Sequence, residues 1–382
     1  MKKASFLENW LSTNNPSPLF TKKKVIKENH KQEINYLKRH PTTEGIFLSA
    51  STNGKQIHLY NNNHCESHLD LVSHYLHDDE IGDVCWVSEK YIGFHDCKGR
   101  IFIISVMQSR VETMIDLFPN FNEMCDDDEN IGINRMYSSF EHFTSEIGQN
   151  YIALICNEFK TLQVWDVETN SCVCTVTDED ALFIHICPVF SCNKFLIFQC
   201  NGSVLLLTVE SESITLDPVH IDHNGRENLF EQVCDHTNGS LFTRQIIFQD
   251  HVLLVIKTAH SVMLYSLWSS ETNSIQLNYL SHVEILDKTS INSRNFDLLS
   301  NKEKDEFLII VPEDKDLCVI RVFKTPSLRL EMVNSIKLNR KGSPSLQNCL
   351  LFNAGDIIIA SSSADSSILR WEMNDETNHL LH

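Results

Sequence analysis

Apolar and polar positions alternate in short runs along the whole chain, and the runs are separated by small or polar turn residues. Seven of them stand out, at 56–60, 100–104, 161–166, 203–207, 261–265, 317–323 and 367–372. Three follow an unmistakable turn pair: Asn53-Gly54, Lys98-Gly99 and Asn201-Gly202. Each run is preceded by another, at 45–49, 91–94, 151–155, 194–198, 252–256, 307–311 and 356–360. Val, Ile, Phe and Leu at period two predict strands, not helices. Runs that are apolar at consecutive positions predict strands covered on both faces. A strand, a tight turn and a second strand, flanked by further strands and repeated every ~40–60 residues, predict an all-β repeat architecture of four-stranded units.

The last unit ends in Asp365-Ser366-Ser367-Ile368-Leu369-Arg370-Trp371, with an Asp six residues before a strand Trp, and the third carries Trp165-Asp166. The first places His30 ahead of Ser49, Asn53 and Tyr60, and the second places His77 ahead of Val84-Cys85-Trp86. On these residues the chain resembles the WD-repeat β-propeller family over about residues 22–374. The resemblance implies a single propeller of about seven four-stranded blades. It also implies that the His, Ser/Thr, Asp and Trp side chains form a hydrogen-bond network pinning strands within a blade, a structural role. The fourth to sixth units lack Trp-Asp, so six or eight blades stay open there. Three regions follow: a short amphipathic helix and linker at 1–20, the propeller at 21–374 and a tail at 375–382. The chain ends soon after Trp371, leaving the last blade short of a fourth strand. The segment at 22–28 supplies one, and closing the sheet this way removes a free edge.

Composition excludes several classes. The chain has 382 residues, 42% of them hydrophobic, which is ample for a core. No apolar run reaches the length of a membrane-spanning helix, so no membrane partner is expected. The net charge of −19 argues against a broad duplex-binding surface. That charge is uneven, because residues 1–40 hold nine Lys/Arg against three Glu. Lys22, Lys23, Lys24, Lys38 and Arg39 are therefore candidate contacts for an acidic partner or nucleic acid, and docking of this arm on the acidic body is the competing reading. The acidic loop at 125–129 reads either as solvated or as a site for a basic partner. Thirteen Cys, an odd number lying mostly in apolar segments, predict buried free thiols and a reducing compartment, nucleus or cytoplasm.

No phosphate loop, dinucleotide fingerprint, nucleophile elbow or paired C-x-x-C is present, so no cofactor and no catalytic residue is expected. The metal-like residues His64, Cys65, Glu66, His68, His74 and His77 are set against a structural role for His77. First strands such as Ile81–Trp86 and the run at 348–352 read mostly apolar, which lowers an enzyme reading without removing it. Ser5 and Glu8 form a capping box, and Phe6, Leu7, Trp10 and Leu11 share one face of the short helix that follows. So short a helix needs a surface, either its own propeller or a partner's groove. The second option is similar in architecture to the docking helices of WD-repeat substrate receptors of cullin-type ubiquitin ligases. The expected function is a non-catalytic scaffold binding other protein subunits in a hetero-oligomer. A cullin-ligase substrate receptor and a non-catalytic subunit of an RNA-modifying enzyme are the finer alternatives. An enzyme with its site at the propeller channel is the rival class.

Overall fold

A computed structural model describes residues between Phe20 and Met373, apart from several connections, the longest being 117–136, 225–240, 286–295 and 337–345. The described residues form strands and turns, with no helix among them. Blade 1 comprises β2 (Tyr36–Arg39), β3 (Ile46–Ser51), β4 (Gln56–Asn63) and β5 (His68–Leu76). Blade 2 comprises β6 (Ile81–Trp86), β7 (Tyr91–Asp96), β8 (Arg100–Ser105) and β9 (Arg110–Asp116). Blade 3 holds β10 (Tyr137–Thr144), β11 (Asn150–Cys156), β12 (Thr161–Asp166) and β13 (Ser171–Thr177). Blade 4 holds β14 (Phe183–Pro188), β15 (Lys194–Gln199), β16 (Val204–Val209) and β17 (Ile214–Pro218). Blade 5 follows with β19 (Phe242–Phe248), β20 (His251–Lys257), β21 (Ser261–Ser269) and β22 (Ile275–Glu284). Blade 6 contains β23 (Asp297–Asn301), β24 (Glu306–Glu313), β25 (Asp316–Lys324) and β26 (Leu328–Ile336). Blade 7 contains β27 (Leu346–Phe352), β28 (Ile357–Ser362), β29 (Ser367–Met373) and, from the start of the chain, β1 (Phe20–Lys27). Seven antiparallel blades in chain order make this an all-β fold of the seven-bladed β-propeller class. The uncertainty over the fourth to sixth units thus resolves to seven.

One blade departs from the four-stranded expectation. β18 (His220–Asp222) adds to the outer side of β22 as a fifth strand, and in parallel.

The closing strand is where the sequence placed it. β1 pairs antiparallel with β29 from Phe20↔Met373 to Lys27↔Ser367, with a bulge between Lys22 and Lys24. The same irregularity occurs in three other outer strands. β9 shifts register opposite Ile103/Ile104, β13 opposite Val164/Trp165 and β26 opposite Val319/Ile320. One extra residue there bends the outer strand and sharpens its twist. β1 therefore carries the mark of a true fourth strand. First strands show their own bulge near the start, in β6, β10, β14 and β27.

The chain divides into two compact units, one of residues 1–74, 259–261 and 281–382, the other of 75–258 and 262–280. Within the first, Ile34, Leu37, Phe47 and Tyr60 of the blade 1 region pack with Leu350, Phe352, Ile359 and Ile368 of blade 7. Within the second, one core joins Cys85, Ile101 and Ile103 to Phe140, Ile152 and Leu154. Another joins Leu162 and Val164 to Ile186, Ile197 and Leu207, and a third joins Leu196, Phe198 and Leu206 to Leu254, Met263 and Tyr265. Each fully buried Leu, Ile or Phe contributes roughly 1.5–3 kcal/mol. Cys85, Cys187, Cys318 and Cys349 form no disulfide and are buried, as small apolar side chains would be.

Candidate functional site

The densest group of interacting polar side chains among the described residues lies where blade 2 begins. Asp96 ends β7, and the turn to β8 closes through a hydrogen bond from Gly99 N to Asp96 O, with Gly99 at φ +73°. A side chain at that φ would be strained, so glycine sets the turn. Oδ1 of Asp96 accepts from the backbone N–H groups of Lys98 (3.0 Å) and Arg100 (2.9 Å). Oδ2 accepts from Arg100 Nε at 2.8 Å and from its terminal nitrogen. His77, from the loop before β6, brings Nε2 to 3.3 Å from the same oxygen. Its Nδ1 lies 3.2 Å from Tyr75 Oη, and its ring stands edge-on to Phe94 and Phe102. Arg100 also bonds Asp79 at 2.7 Å, and Lys98 Nζ lies 3.1 Å from Asp79.

Tyr75, His77 and Asp96 line up as a hydroxyl, an imidazole and a carboxylate, the order of a proton relay. The electrostatics work against activation. Burial, followed by the nearby Asp78 carboxylate, raises the Tyr75 phenol above its ordinary value. Burial alone would raise the Asp96 carboxyl too, but the bonds from His77 and Arg100 outweigh it and hold the group below the usual carboxylate value. Asp96 stays ionised, and the hydroxyl stays protonated. Ligand atoms of His77, Asp79 and Asp96 lie within 4.8 Å of one another. The Arg100 guanidinium already supplies positive charge to both carboxylates, so the donor set fits a partly buried ion pair better than a metal.

This cluster joins the loop before a blade to the end of its second strand, and two other blades repeat the join with different chemistry. In blade 4, Gln199 Nε2 donates to Asp178 Oδ2 at 2.6 Å, with Gln199 ending β15 as Asp96 ends β7. In blade 1, Thr52 N donates to Asn35 Oδ1 at 2.9 Å. The Trp part of the network implied by the family resemblance is not built. The indole N–H of Trp371 is fully buried with no hydrogen-bond partner, and Trp371 faces Ile358 across the ladder. Trp165 donates instead to Gln163 at 3.0 Å.

Arg39 and Lys38 fall on β2. The Arg39 guanidinium bonds Asp297 and the Leu351 carbonyl (2.6 Å) and lies over the Phe352 ring, although its side chain remains 41% exposed. Lys22, Lys23 and Lys24 lie on β1, where the backbone alone is described. Phe6, Leu7, Trp10, Leu11, His30, Asp365, the loop at 125–129 and the metal-like residues at 64–67 lie outside the described residues. The remaining members of that metal-like set are separated in role, with His77 on Asp96 and the His74 ring edge-on to His58.

Of the two first strands read as mostly apolar, β27 is buried throughout, its polar Gln347 and Asn348 included, and β6 buries Ile81, Val84 and Cys85; the first strands of blades 3 to 5 carry more polar contacts. There His142 bonds Asn150 (3.3 Å), His185 bonds Thr243 (2.9 Å) and Ser139 accepts from Ile186 N (3.2 Å). The last two contacts stitch neighbouring blades. Sequence reading also missed Asp297, Arg100 and the pair Gly82–His95. A signal existed for Arg100, which follows the turn Asp96-Cys97-Lys98-Gly99. None existed for Asp297, whose partners Arg39 and Leu351 lie 258 and 54 residues away. Exposed apolar side chains include Ile247 (73%) and Trp268 (60%) in blade 5.

No protein-family model matches the sequence, and no curated protein is significantly similar to it.

Proposed function

We propose that the protein is a non-catalytic scaffold that holds other protein subunits together. One observation carries this reading. In the best polar cluster, His77, Asp79, Asp96 and Arg100 are bonded to one another and tie a loop to a turn, so their chemistry supports the fold. The propeller fold is one that commonly mediates protein interactions, and fold alone does not fix function. Exposed Trp268 and Ile247 are the side-chain types that anchor interfaces. A reducing compartment, nucleus or cytoplasm, accords with buried cysteines that form no disulfide.

Affinity purification with mass spectrometry, comparing the full chain with one lacking residues 1–15, tests the reading. Stoichiometric partners are expected. Loss of a cullin-ligase adaptor on deletion identifies a substrate receptor docked through Phe6, Leu7, Trp10 and Leu11. Retention of an RNA-modifying enzyme identifies its non-catalytic subunit. Absence of any stoichiometric partner from both forms overturns the scaffold reading and returns attention to an enzyme.

A further inference from the structure

We propose that the outer edge of β22 is a strand-docking site, occupied in cis by residues 220–224 and able to take an extended peptide of the same chemistry in their place. The fourth strands of the other blades have no strand on their outer side among the described residues, whereas β22 has β18. The pairing is parallel and has three rungs, His220↔Gln276, Ile221↔Leu277 and Asp222↔Asn278. A fourth rung is made by a side chain, because Asn224 Nδ2 donates to Tyr279 O at 2.7 Å, where a backbone N–H would continue the ladder. Asp222 Oδ1 accepts from Asn224 N at 2.8 Å and fixes the turn, in which Asn224 sits at φ +53°. Asparagine tolerates that region better than other side-chain-bearing residues.

Main-chain pairing along a sheet edge gives affinity, and pockets for individual side chains give selectivity. Both are present. Ile221 packs against the core that holds Leu277 and Tyr279, and the buried Val219 is part of it. The matching ligand is an extended peptide with an aliphatic residue, Asp at the next position and Asn two beyond. Displacing the resident segment is cheap compared with opening a central strand. Three parallel rungs are few, parallel pairing is slightly weaker per residue, and Ile221 is only partly buried. β22 is also long, running from Ile275 to Glu284, so its edge continues past the rungs β18 occupies. The biological partner rests on the scaffold reading, but the edge is tested without any partner from the cell.

The probe is a fluorescent synthetic peptide with the sequence of residues 218–224. Ile221→Asp in the full chain should loosen the resident strand. The peptide should bind that variant at least about tenfold more tightly than its scrambled form, and Asn→Ala at its last position should cost about tenfold. If the variant does not unfold cooperatively, the same peptide with a photocrosslinker in place of its Ile is added to the unsubstituted protein, and cross-links should map to 276–279. A folded variant that ignores the peptide overturns the proposal, as do cross-links absent from that segment. Absence of any stoichiometric partner in the purifications together with intact peptide binding would sink the scaffold reading and leave the edge standing.

Discussion

Arg39 and Asp297 are 258 residues apart in the sequence and form one ion pair, and both hold the backbone of the same third residue. The Arg39 guanidinium donates to the carbonyl of Leu351 (2.6 Å), while Asp297 Oδ2 accepts from its N–H (2.8 Å). Three first strands, β2, β23 and β27, are joined through two side chains.

The two partners should not be equivalent. Asp297 is 13% exposed and Arg39 41%, so screening weakens the arginine's share. Removing Asp297 also leaves the Leu351 N–H without its acceptor. Asp297→Ala should therefore destabilise by about 2 kcal/mol, and Arg39→Ala by less than about 1 kcal/mol. Urea titrations of the two variants check the ranking. Any nucleic-acid binding defect of Arg39→Ala should be judged after that stability loss is known.

Gly82 is glycine because His95 fills the space beside it. A Cβ at residue 82 would lie 1.7 Å from His95 Cε1. The imidazole is held in place by Asp83 N, which donates to Nε2 at 2.9 Å, and by edge contact with Phe140. Gly82→Ala should cost about 2–3 kcal/mol. Adding His95→Ala should recover part of the loss, because one substitution opens the space the other needs. A double-mutant cycle in denaturant would show no coupling if this view is wrong.

Acid should weaken the fold in a defined window. Burial pulls His95 down to about 4, despite the opposing field of Asp83, and burial likewise takes His142 to about 4. Both are neutral when folded, whereas the unfolded chain binds protons from pH ~6.5 downward. Their contribution is complete above pH ~6.5 and is lost as pH falls toward 4, up to roughly 3 kcal/mol for His95. Asp96, held low, adds a further loss only below about 3.8. Melting curves at pH 7.5, 5.5 and 4.5 should show the decline, and His95→Asn should flatten it while lowering the starting value.

Blade 7 should depend on the beginning of the chain. Deleting residues 1–28 strips β1 from β29 and leaves the seven-residue edge Ser367–Met373 unpaired. Loss of a single cooperative transition, or aggregation through that edge, is the expected outcome. A truncated protein with an unchanged melting curve would show that β1 is dispensable.

Trp371 should tolerate loss of its nitrogen. A buried N–H without an acceptor costs about 1–3 kcal/mol, roughly what the larger ring gains in burial. Trp371→Phe should therefore change stability by less than about 1 kcal/mol. A larger loss, measured by urea unfolding, would mean that the indole nitrogen has an acceptor after all.

The blades were legible because strand pattern is a local property. Asn53-Gly54, Lys98-Gly99 and Asn201-Gly202 mark turns whose chemistry is decided within four residues. The closing role of the segment at 22–28 was legible because the last blade was one strand short. β18 was not, since a three-residue strand, His-Ile-Asp, has no period to read. The polar joins between loop and turn were half legible. His77 fits the familiar pattern, but Asp178–Gln199 and Asn35–Thr52 perform the same task with other residue types. Their geometry is shared and their identity is not. Arg39 illustrates the remaining gap, since a basic residue in a basic stretch gives no hint of a carboxylate on β23.

The bulge shared by β9, β13, β26 and β1 has a consequence for finding relatives. The supernumerary residues at those places are Glu112, Val173, Val333 and Lys23, which have no chemistry in common. What recurs is a backbone count, two residues facing one at a fixed step along the third strand. A score that rewards matching letters cannot register such a rhythm. Aligning chains by where their ladders skip would detect kinship that substitution has erased from the side chains.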